Sequence, residues 1–304
     1  MVVGVLQWKD PRIPAFPSEN RQDFAFEQAL IIRGIPEENI ELLLDEKATW
    51  SGIKNAFRRV GERAQEGDTL LFYYAGHGKD SAKGVRFAEY DAKLGGGFPL
   101  PVLGELITQT FRGEKILLFA DCCFSGGLVD LAEELQSQGF RSAAVTSAPN
   151  CAPSGPTWAY TMALIEAFRA KRSVDRDLDH RIRLKEVQQE VHDVLKYTAF
   201  QESGFGFKGL DPNFVLSSVT TIDVRPRVPA PYRIYDYLDV KLGQSWRPVR
   251  LLGFHKNLLK LQLQGYSSRS IVWAPVEATR PSKSKIVPFV EGQDSPVHAA
   301  PPVW

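Results

Sequence analysis

Two segments of the sequence end an apolar run in residues that can do nucleophilic chemistry. LLFYYAGHG ends in His77 and Gly78, and KILLFADCCFSGG carries Asp121 followed by Cys122 and Cys123. A cysteine attacks as its thiolate, and it needs a nearby base because a free thiol is mostly protonated at neutral pH. The imidazole of His77 can be that base. The pair predicts a cysteine nucleophile activated by histidine, provided that the fold brings the two segments together.

The chain around these segments alternates between apolar strands and amphipathic helices. Strands are expected at VVGVLQW, NIELLL, TLLFYYAG, KILLFAD, SAAVTS and a closing NFVLSS. Helices are expected between them, one of them capped by Thr49. This order predicts an α/β fold whose mostly parallel sheet is flanked by helices on both faces. Because the carboxyl ends of parallel strands form the ligand crevice, His77 and Cys123 are expected to meet there.

Each of these residues also has a structural interpretation. A lone histidine is often a hydrogen-bonded core residue, and a free cysteine is often a small buried hydrophobe. The combination of His77 and Cys123 at two strand ends favours catalysis. Cys122 points to the opposite face if the strand continues, which predicts a core position. Cys151 lies in the loop PNCAPSGP and is interpreted as incidental.

Together, YYAGHG and DCCFSGG resemble the caspase and metacaspase superfamily of cysteine peptidases. The histidine stands roughly 50 residues before the cysteine, as in caspase-type enzymes. The resemblance covers most of residues 1–220 and is closer to metacaspases and bacterial caspase-like proteins, since D-x-C-x-S-G replaces Q-A-C, with Phe124 where metacaspases commonly have histidine. It implies a caspase-like fold, with Cys123 as nucleophile and His77 as catalytic histidine. It also implies an oxyanion hole formed by the N–H groups of Gly78 and Cys123.

The same resemblance implies a basic residue, Arg or Lys, on the amino side of the cleaved bond (position P1). Asp121 stands where the aspartate-directed animal enzymes have glutamine, and metacaspases pair it with an aspartate of the first helix, here Asp23. Two carboxylates suit a cationic side chain, and Arg gains two-pronged hydrogen bonds. The alternative is that Asp23 is a solvated helix charge and that Asp121 caps the next turn.

Calcium activates many metacaspases through clustered aspartates, which supply the oxygen ligands this ion needs. Asp130 matches one of them, and Asp91 is a loose second candidate. No adjacent aspartate pair lies between them in the sequence. The sequence therefore predicts no firm metal site, and no cofactor is required, although calcium dependence stays open.

The residue composition and the apolar pattern of the sequence change near residue 222. We expect a caspase-like peptidase domain at 1–222, a stiff Pro-rich connection, a small all-β module at 230–280 and a disordered tail at 281–304. LLKLQLQ predicts a half-buried strand with one face formed by Leu259, Leu261 and Leu263. The module resembles SH3-like or Tudor-like barrels, which predicts a site for a protein partner or substrate.

Four aromatic residues of this module have two interpretations. They are Trp246, Phe254, Tyr266 and Trp273. They either form a cage for a methylated basic side chain or build the core of the barrel. The core interpretation is the more frequent outcome for such residues.

The composition limits the remaining possibilities. The chain has 304 residues, 43% of them hydrophobic and 24% charged, with a net charge of +1 and three cysteines. Met1 runs directly into VVGVLQW, so no secretory signal is expected, and the sequence has no apolar stretch of bilayer length and no zinc-type spacing. A cytoplasmic enzyme that contacts neither membrane nor nucleic acid is therefore expected. The rival hypothesis is a non-proteolytic caspase-fold scaffold that acts through its C-terminal module.

Overall fold

The computed structural model describes residues 1–18, 21–82, 84–149, 152, 158–171, 174–177, 179–199, 201–218, 237–255, 258–263 and 271–282. Its internal contacts divide the chain into two compact units, Met1–Thr220 and Thr221–Trp304, which are described separately. Among the described residues, no helix has the length and apolar character needed to cross a membrane.

The first unit alternates between strands and helices. Its strands are β1 (Val2–Gly4), β2 (Leu42–Leu44), β3 (Thr69–Ala75), β4 (Gly78–Lys79), β5 (Arg86–Phe87), β6 (Phe98–Pro99), β7 (Lys115–Asp121), β8 (Arg141–Thr146), β9 (Arg181–Arg183), β10 (Gly204–Lys208) and β11 (Val215–Ser218). Its α-helices are α1 (Gln22–Ile32), α2 (Trp50–Arg63), α3 (Leu100–Thr110), α4 (Gly127–Ser137), α5 (Ala159–Phe168) and α6 (Leu184–Val194).

The main sheet has the strand order β10-β8-β7-β3-β1-β2. The neighbours from β2 to β8 are parallel and β10 is antiparallel, which confirms the predicted mostly parallel sheet. Sequence patterns missed β10, because its GFGFK segment holds two glycines, which are poor strand formers. NFVLSS was expected to close this sheet, but β11 instead pairs with β9 in a separate ladder.

Both faces of the sheet are buried, as the continuous apolar runs predict. The face that we call the α5 face carries Leu117 and Phe119 and packs against helices α1, α5 and α6. The opposite α3 face carries Ile116 and Leu118 and packs against α2, α3 and α4. Each fully buried side chain of this size stabilises the fold by about 1.5–3 kcal/mol. Residues that end β3 and β7 are therefore held on a rigid base.

Local signals fix where the helices begin. Thr49 caps α2 as predicted, with its side-chain oxygen accepting the Gly52 N–H at 3.0 Å. Such a cap contributes about 1 kcal/mol. The short ladder of β4, β5 and β6 lies in the chain between β3 and α3. It holds the residues that follow His77.

The second unit contains a five-stranded antiparallel sheet of order β15-β14-β13-β12-β16. Its strands are β12 (Tyr237–Leu242), β13 (Ser245–His255), β14 (Leu258–Leu263), β15 (Ile271–Pro275) and β16 (Thr279–Pro281). Leu259, Leu261 and Leu263 are buried on one side of β14, as the alternation predicts. The tail predicted to be disordered lies outside the described residues beyond Ser282.

Candidate functional site

The His77 and Cys123 segments meet at the carboxyl edge of the main sheet. Strands β3 and β7 are adjacent and parallel, and Ala75 is paired with Asp121 at their ends. The next residue of the β3 segment, Gly76, donates its N–H to the Asp121 carbonyl at 3.5 Å. His77 and Cys123 each follow two residues after these paired positions. Neighbouring strand ends thus bring His77 and Cys123 to the same edge of the sheet.

Gly78 packs directly on the backbone of Cys123. A Cβ atom added to Gly78 would lie 1.9 Å from the Cys123 carbonyl oxygen and 3.1 Å from the Cys122 Sγ. Real atoms never approach so closely, so any other residue here would push the two segments apart. The glycine after the histidine is therefore required by the contact between the two strand ends.

The ring of His77 is held on several sides. Its Nε2 lies 2.8 Å from the Pro14 carbonyl oxygen. The ring centroids of Trp8 and Phe16 lie 4.6 Å and 4.4 Å from that of His77. A carbonyl oxygen only accepts hydrogen bonds, so in the neutral imidazole Nε2 carries the proton and Nδ1 keeps its lone pair. This arrangement leaves Nδ1 as the basic nitrogen.

The segment that holds His77, residues 5–16, is itself anchored to the fold. The Trp8 indole N–H donates to the Ala88 carbonyl at 3.2 Å, and the Phe16 N–H donates to the Leu6 carbonyl at 2.8 Å. The sequence predicts a strand over VVGVLQW, but β1 ends at Gly4, and the role of the residues that follow was not predicted because residues 9–16 have no helical or strand periodicity. The contacts of Trp8 with Ala88 and of Pro14 with His77 join distant parts of the chain, and only the fold reveals them.

The two adjacent cysteines differ in their surroundings. Cys122 is buried on the α3 face, which confirms its predicted core position. Burial, and then the neighbouring Asp121 charge, raise the pKa of the Cys122 thiol well above its usual range. Cys123 is only partly buried. Of these two thiols, Cys123 is the one that a substrate can reach.

The turn after Cys123 is fixed by backbone and hydroxyl contacts. The Cys122 N–H donates to the Ser147 hydroxyl at 3.1 Å, and the Ala148 N–H donates to the Ser125 hydroxyl at 3.0 Å. Phe124 has a φ of 57°, in the left-handed region that non-glycine residues rarely adopt. Such a conformation persists only where the surrounding contacts enforce it. These contacts therefore fix the backbone of the turn that follows Cys123.

Asp121 points to the α5 face. Its Oδ2 accepts the Thr161 hydroxyl of α5 at 2.6 Å. Burial raises the pKa of Asp121 to about 6, while hydrogen bonds from Thr161 and Ser147 oppose the rise. The carboxylate is therefore charged at neutral pH and protonated in mild acid.

Asp23 occupies the same face, two strands away. A Cβ atom on Gly4 would lie 1.8 Å from Asp23 Oδ2, so the carboxylate covers the end of β1. Gly4, Ala75 and Asp121 are paired across β1, β3 and β7. Two strand spacings correspond to about 10 Å. The small, buried side chain of Ala75 lies between the two carboxylates.

Asp23 has a close cationic partner. It is fully buried and forms an ion pair at 2.7 Å with Arg21, whose side chain is 19% exposed. Asp45 joins the same guanidinium at 2.5 Å. Sequence reasoning named Asp23 and missed Arg21, although the acid–base pair two residues apart was visible in the sequence.

The two calcium candidates have separate surroundings. Asp91 accepts the Trp50 N–H at 2.9 Å and so caps the start of α2. Asp130 is exposed on α4 and lines a groove together with Asp80 and Glu134. Neither belongs to a set of three carboxylates close enough to share an ion among the described residues. Calcium dependence stays a prediction.

One other group of carboxylates does lie that close together. Its members are Asp175, Asp177 and Glu186, and with Asp179 they follow the spacing of an EF-hand calcium loop. His180 stands at the glycine position of such a loop, and the Arg183 guanidinium forms ion pairs with Asp177 and Asp179. The group is thus partly neutralised by the chain itself, and we assign no metal to it.

Only part of the predicted aromatic cage falls within the described side chains. Trp246 is 38% exposed, and the Arg280 guanidinium carbon lies 3.9 Å from its ring centroid. The side chains of Phe254, Tyr266 and Trp273 lie outside the described part. The cage stays a prediction, and the Arg280 guanidinium lies over the ring of Trp246, the first of its four residues.

Comparisons with known proteins identify the family of the first unit and a similar fold. The caspase domain family model matches residues 25–209, an interval that contains His77 and Cys123. A structure solved for a protein of Geobacter sulfurreducens has a similar fold, with a TM-score of 0.51, 15% sequence identity, and coverage of 72% of this chain and 97% of that one. At this identity the likeness concerns the fold alone.

Curated relatives include plant metacaspases. Metacaspase-9 of Arabidopsis thaliana is 35% identical over 124 residues, which are 36% of this chain and 38% of that protein. Metacaspase-4 of the same plant is 33% identical over 118 residues, 33% of this chain and 27% of that protein. The matches thus span less than half of each relative. The family match nevertheless covers more than half of this chain, which therefore belongs to the caspase domain family, with metacaspases among its relatives.

Proposed function

We propose that this protein is a cysteine endopeptidase that cleaves after Arg or Lys, with Cys123 as nucleophile and His77 as base. One observation carries the proposal. Gly78, the residue after His77, packs on the Cys123 backbone at the ends of two adjacent strands, and this contact supports the pairing of His77 with Cys123. A binding scaffold has no need for a histidine and a partly exposed cysteine at adjacent strand ends. The domain bounds that we propose are 1–222 for the peptidase and 230–280 for the β module.

Proton transfer begins at Nδ1 of His77, since the Pro14 carbonyl engages Nε2. Nδ1 takes the Cys123 proton, and the thiolate attacks the scissile carbonyl carbon. A C–S bond forms while the carbonyl π electrons move to oxygen. The imidazolium then protonates the leaving amine and the C–N bond breaks, leaving an acyl-enzyme. A water molecule, deprotonated by the same imidazole, releases the acid product and restores the thiol.

The oxyanion is stabilised by the N–H groups of Gly78 and Cys123. The Ala88 N–H donates to the His77 carbonyl, so Gly78 and Phe87 form a pair without mutual hydrogen bonds. In such a pair the Gly78 N–H points away from strand β5. It is therefore not used by that strand, which supports its role as an oxyanion donor, and removing one such donor typically lowers the rate about 100-fold or more.

Selection at P1 uses the carboxylates on the α5 face. Asp121 ends β7, and Asp23 covers the end of β1, with Ala75 between them. A cationic side chain that enters between them meets negative charge at a buried site, where charge pairing is strong. Peptide substrates with Arg or Lys at P1 fit this arrangement.

The five-stranded unit has a separate role in this proposal. Its buried leucine face builds its own small core, which is the architecture of a compact binding module. We assign to it the docking of a protein partner or substrate. This chemistry requires no cofactor, and calcium, if it acts, acts as a regulator.

Matched fluorogenic peptides ending in Arg, Lys or Asp test the proposal, with and without calcium. We expect cleavage after Arg and Lys, and a fall of at least about 1,000-fold in Cys123→Ala and His77→Ala. Cys122→Ala is the matched control, since it removes an adjacent thiol and should keep most of the activity. Cleavage after Asp would contradict the pocket assignment. No turnover by any form, with no labelling of Cys123 by thiol-directed probes, would favour the scaffold.

A further inference from the structure

Arg21 compensates the charge of Asp23. Its Nε and Nη2 donate to the two Asp23 carboxylate oxygens at 2.8 Å and 2.7 Å. Its Nη1 donates to Asp45 at 2.5 Å, and Nη2 also lies 3.4 Å from the Gly4 carbonyl oxygen. Every nitrogen of the guanidinium is therefore in use, so one of the two carboxylates proposed for P1 selection is already paired within the chain.

This arginine is a fixed part of the site. Asp23 is fully buried, and Asp45 is itself held by the Leu6 and Gln7 N–H groups at 2.8 Å and 3.2 Å. Moving the guanidinium away would leave a buried carboxylate without its cation, which is strongly unfavourable. A substrate side chain would have to replace all of these bonds to displace Arg21.

Asp121 is in a different situation. It accepts hydrogen bonds from the neutral hydroxyls of Thr161, at 2.6 Å, and Ser147, and none of the ion pairs among the described residues includes it. Burial raises its pKa only to about 6, so the carboxylate is mostly charged at neutral pH. Together, Asp23, Asp45, Asp121 and Arg21 leave the site net negative, which still favours a basic P1 residue.

The geometry points to Arg21 as a specificity-determining residue that neutralises Asp23, so that Asp121 alone reads the charge of the P1 side chain. This inference rests on the proposed function and deepens it. Arg21 makes the proposed pocket less acidic than two unpaired carboxylates would make it. The strength of the preference for Arg and Lys therefore depends on a residue outside the two strand-end motifs.

The test compares matched peptides with Arg or citrulline at P1, since citrulline keeps the shape of arginine without its charge. Arg21→Gln exposes the Asp23 charge and should raise the Arg-to-citrulline ratio of kcat/KM about tenfold, mainly through KM. Arg12→Gln is the matched control, because Arg12 is an exposed arginine paired with Asp10. Its ratio should stay at the wild-type value.

A double substitution shows whether Arg21 acts through Asp23. Arg21→Gln/Asp23→Asn removes both charges of the ion pair, so its Arg-to-citrulline ratio should stay within about twofold of the wild-type value. A ratio that falls about tenfold or more in this double variant would overturn the inference, because Asp23 would then attract the P1 side chain with a charge of its own. An unchanged ratio in Arg21→Gln would overturn it as well. If Arg21→Gln does not fold, Arg21→Lys replaces it. That variant keeps the positive charge and should keep the ratio within about twofold of the wild type, and a change of about tenfold or more would overturn the inference.

The two proposals fail in different ways. If the wild-type protein cleaves neither peptide, the proposed peptidase function is wrong. If the wild-type protein cleaves after Arg and Arg21→Gln leaves the Arg-to-citrulline ratio of kcat/KM unchanged, the peptidase function stands and the role of Arg21 is wrong.

Discussion

The two ends of the proposed P1 pocket carry the same side chain in different surroundings. Asp121 is bonded to a hydroxyl group, and burial raises its pKa to about 6. Asp23 is fully buried in an ion pair with Arg21. Both aspartates match a family pattern, yet only Asp121 has its charge uncompensated by an ion pair among the described residues. The motif fixes the position of a carboxylate, and its neighbours decide what the carboxylate can do.

The largest effect should come from Asp121→Asn. Removing the uncompensated charge should lower kcat/KM for a P1 Arg peptide about 100-fold and leave the citrulline peptide nearly unchanged. Steady-state kinetics on both peptides measure this. Asp80→Asn, an exposed carboxylate in the β4–β5 region, is the control. Equal losses for both peptides would mean that Asp121 supports the fold rather than recognising the charge of the P1 side chain.

Asp23→Asn should lower the stability of the fold more than it lowers the P1 Arg preference. It leaves a mostly buried Arg21 with Asp45 as its remaining carboxylate, so the free energy of unfolding should fall by about 2 kcal/mol. The P1 Arg preference should fall less than in Asp121→Asn. Urea unfolding, followed by circular dichroism, measures the stability of both variants. A variant as stable as the wild type would contradict the buried ion pair.

The pKa of Asp121 predicts a pH dependence of the preference. Above about 6 the carboxylate is charged and attracts a basic side chain, and below that value it is protonated and neutral. The Arg-to-citrulline ratio of kcat/KM should therefore rise as the pH increases from 5 to 7. Using the ratio cancels the titration of the catalytic groups. A ratio that stays flat in the wild type, or that rises equally in Asp121→Asn, would assign the charge to another group.

Cys122→Ala should have the smallest effect. The thiol faces the α3 face, on the other side of the sheet from both aspartates, so the P1 ratio should stay the same. Losing the buried sulfur should lower the free energy of unfolding by about 1 kcal/mol. Thermal unfolding and the two-peptide assay measure both quantities. A changed ratio would show that the two faces are not independent.

Local pattern predicted the strand ends well, because each has a continuous apolar run that stops at polar residues. The runs that end at His77 and Cys123 became adjacent strands, as expected for a parallel sheet. The alternating leucines of β14 were likewise predicted correctly. These features depend on neighbouring residues in the chain, which is where sequence periodicity is informative.

The contacts around the strand ends could not be predicted in this way. Pro14 reaches His77 across 63 positions, and Asp45 reaches Arg21 across 24. Neither segment has a periodic pattern, and a side-chain hydrogen bond between distant loops leaves no signal in one sequence. The placement of Asp23 came from family resemblance, and only the fold showed that the nearby Arg21 is its ion-pair partner.

The central claim is that Cys123 is the nucleophile and His77 its base. The most direct measurement is the rate at which an electrophilic peptide probe with Arg at P1 labels the protein, with the labelled residue located by mass spectrometry. We predict a single adduct on Cys123, formed about 100-fold more slowly in His77→Ala. Labelling of Cys122, or a rate on Cys123 that does not depend on His77, would contradict the account.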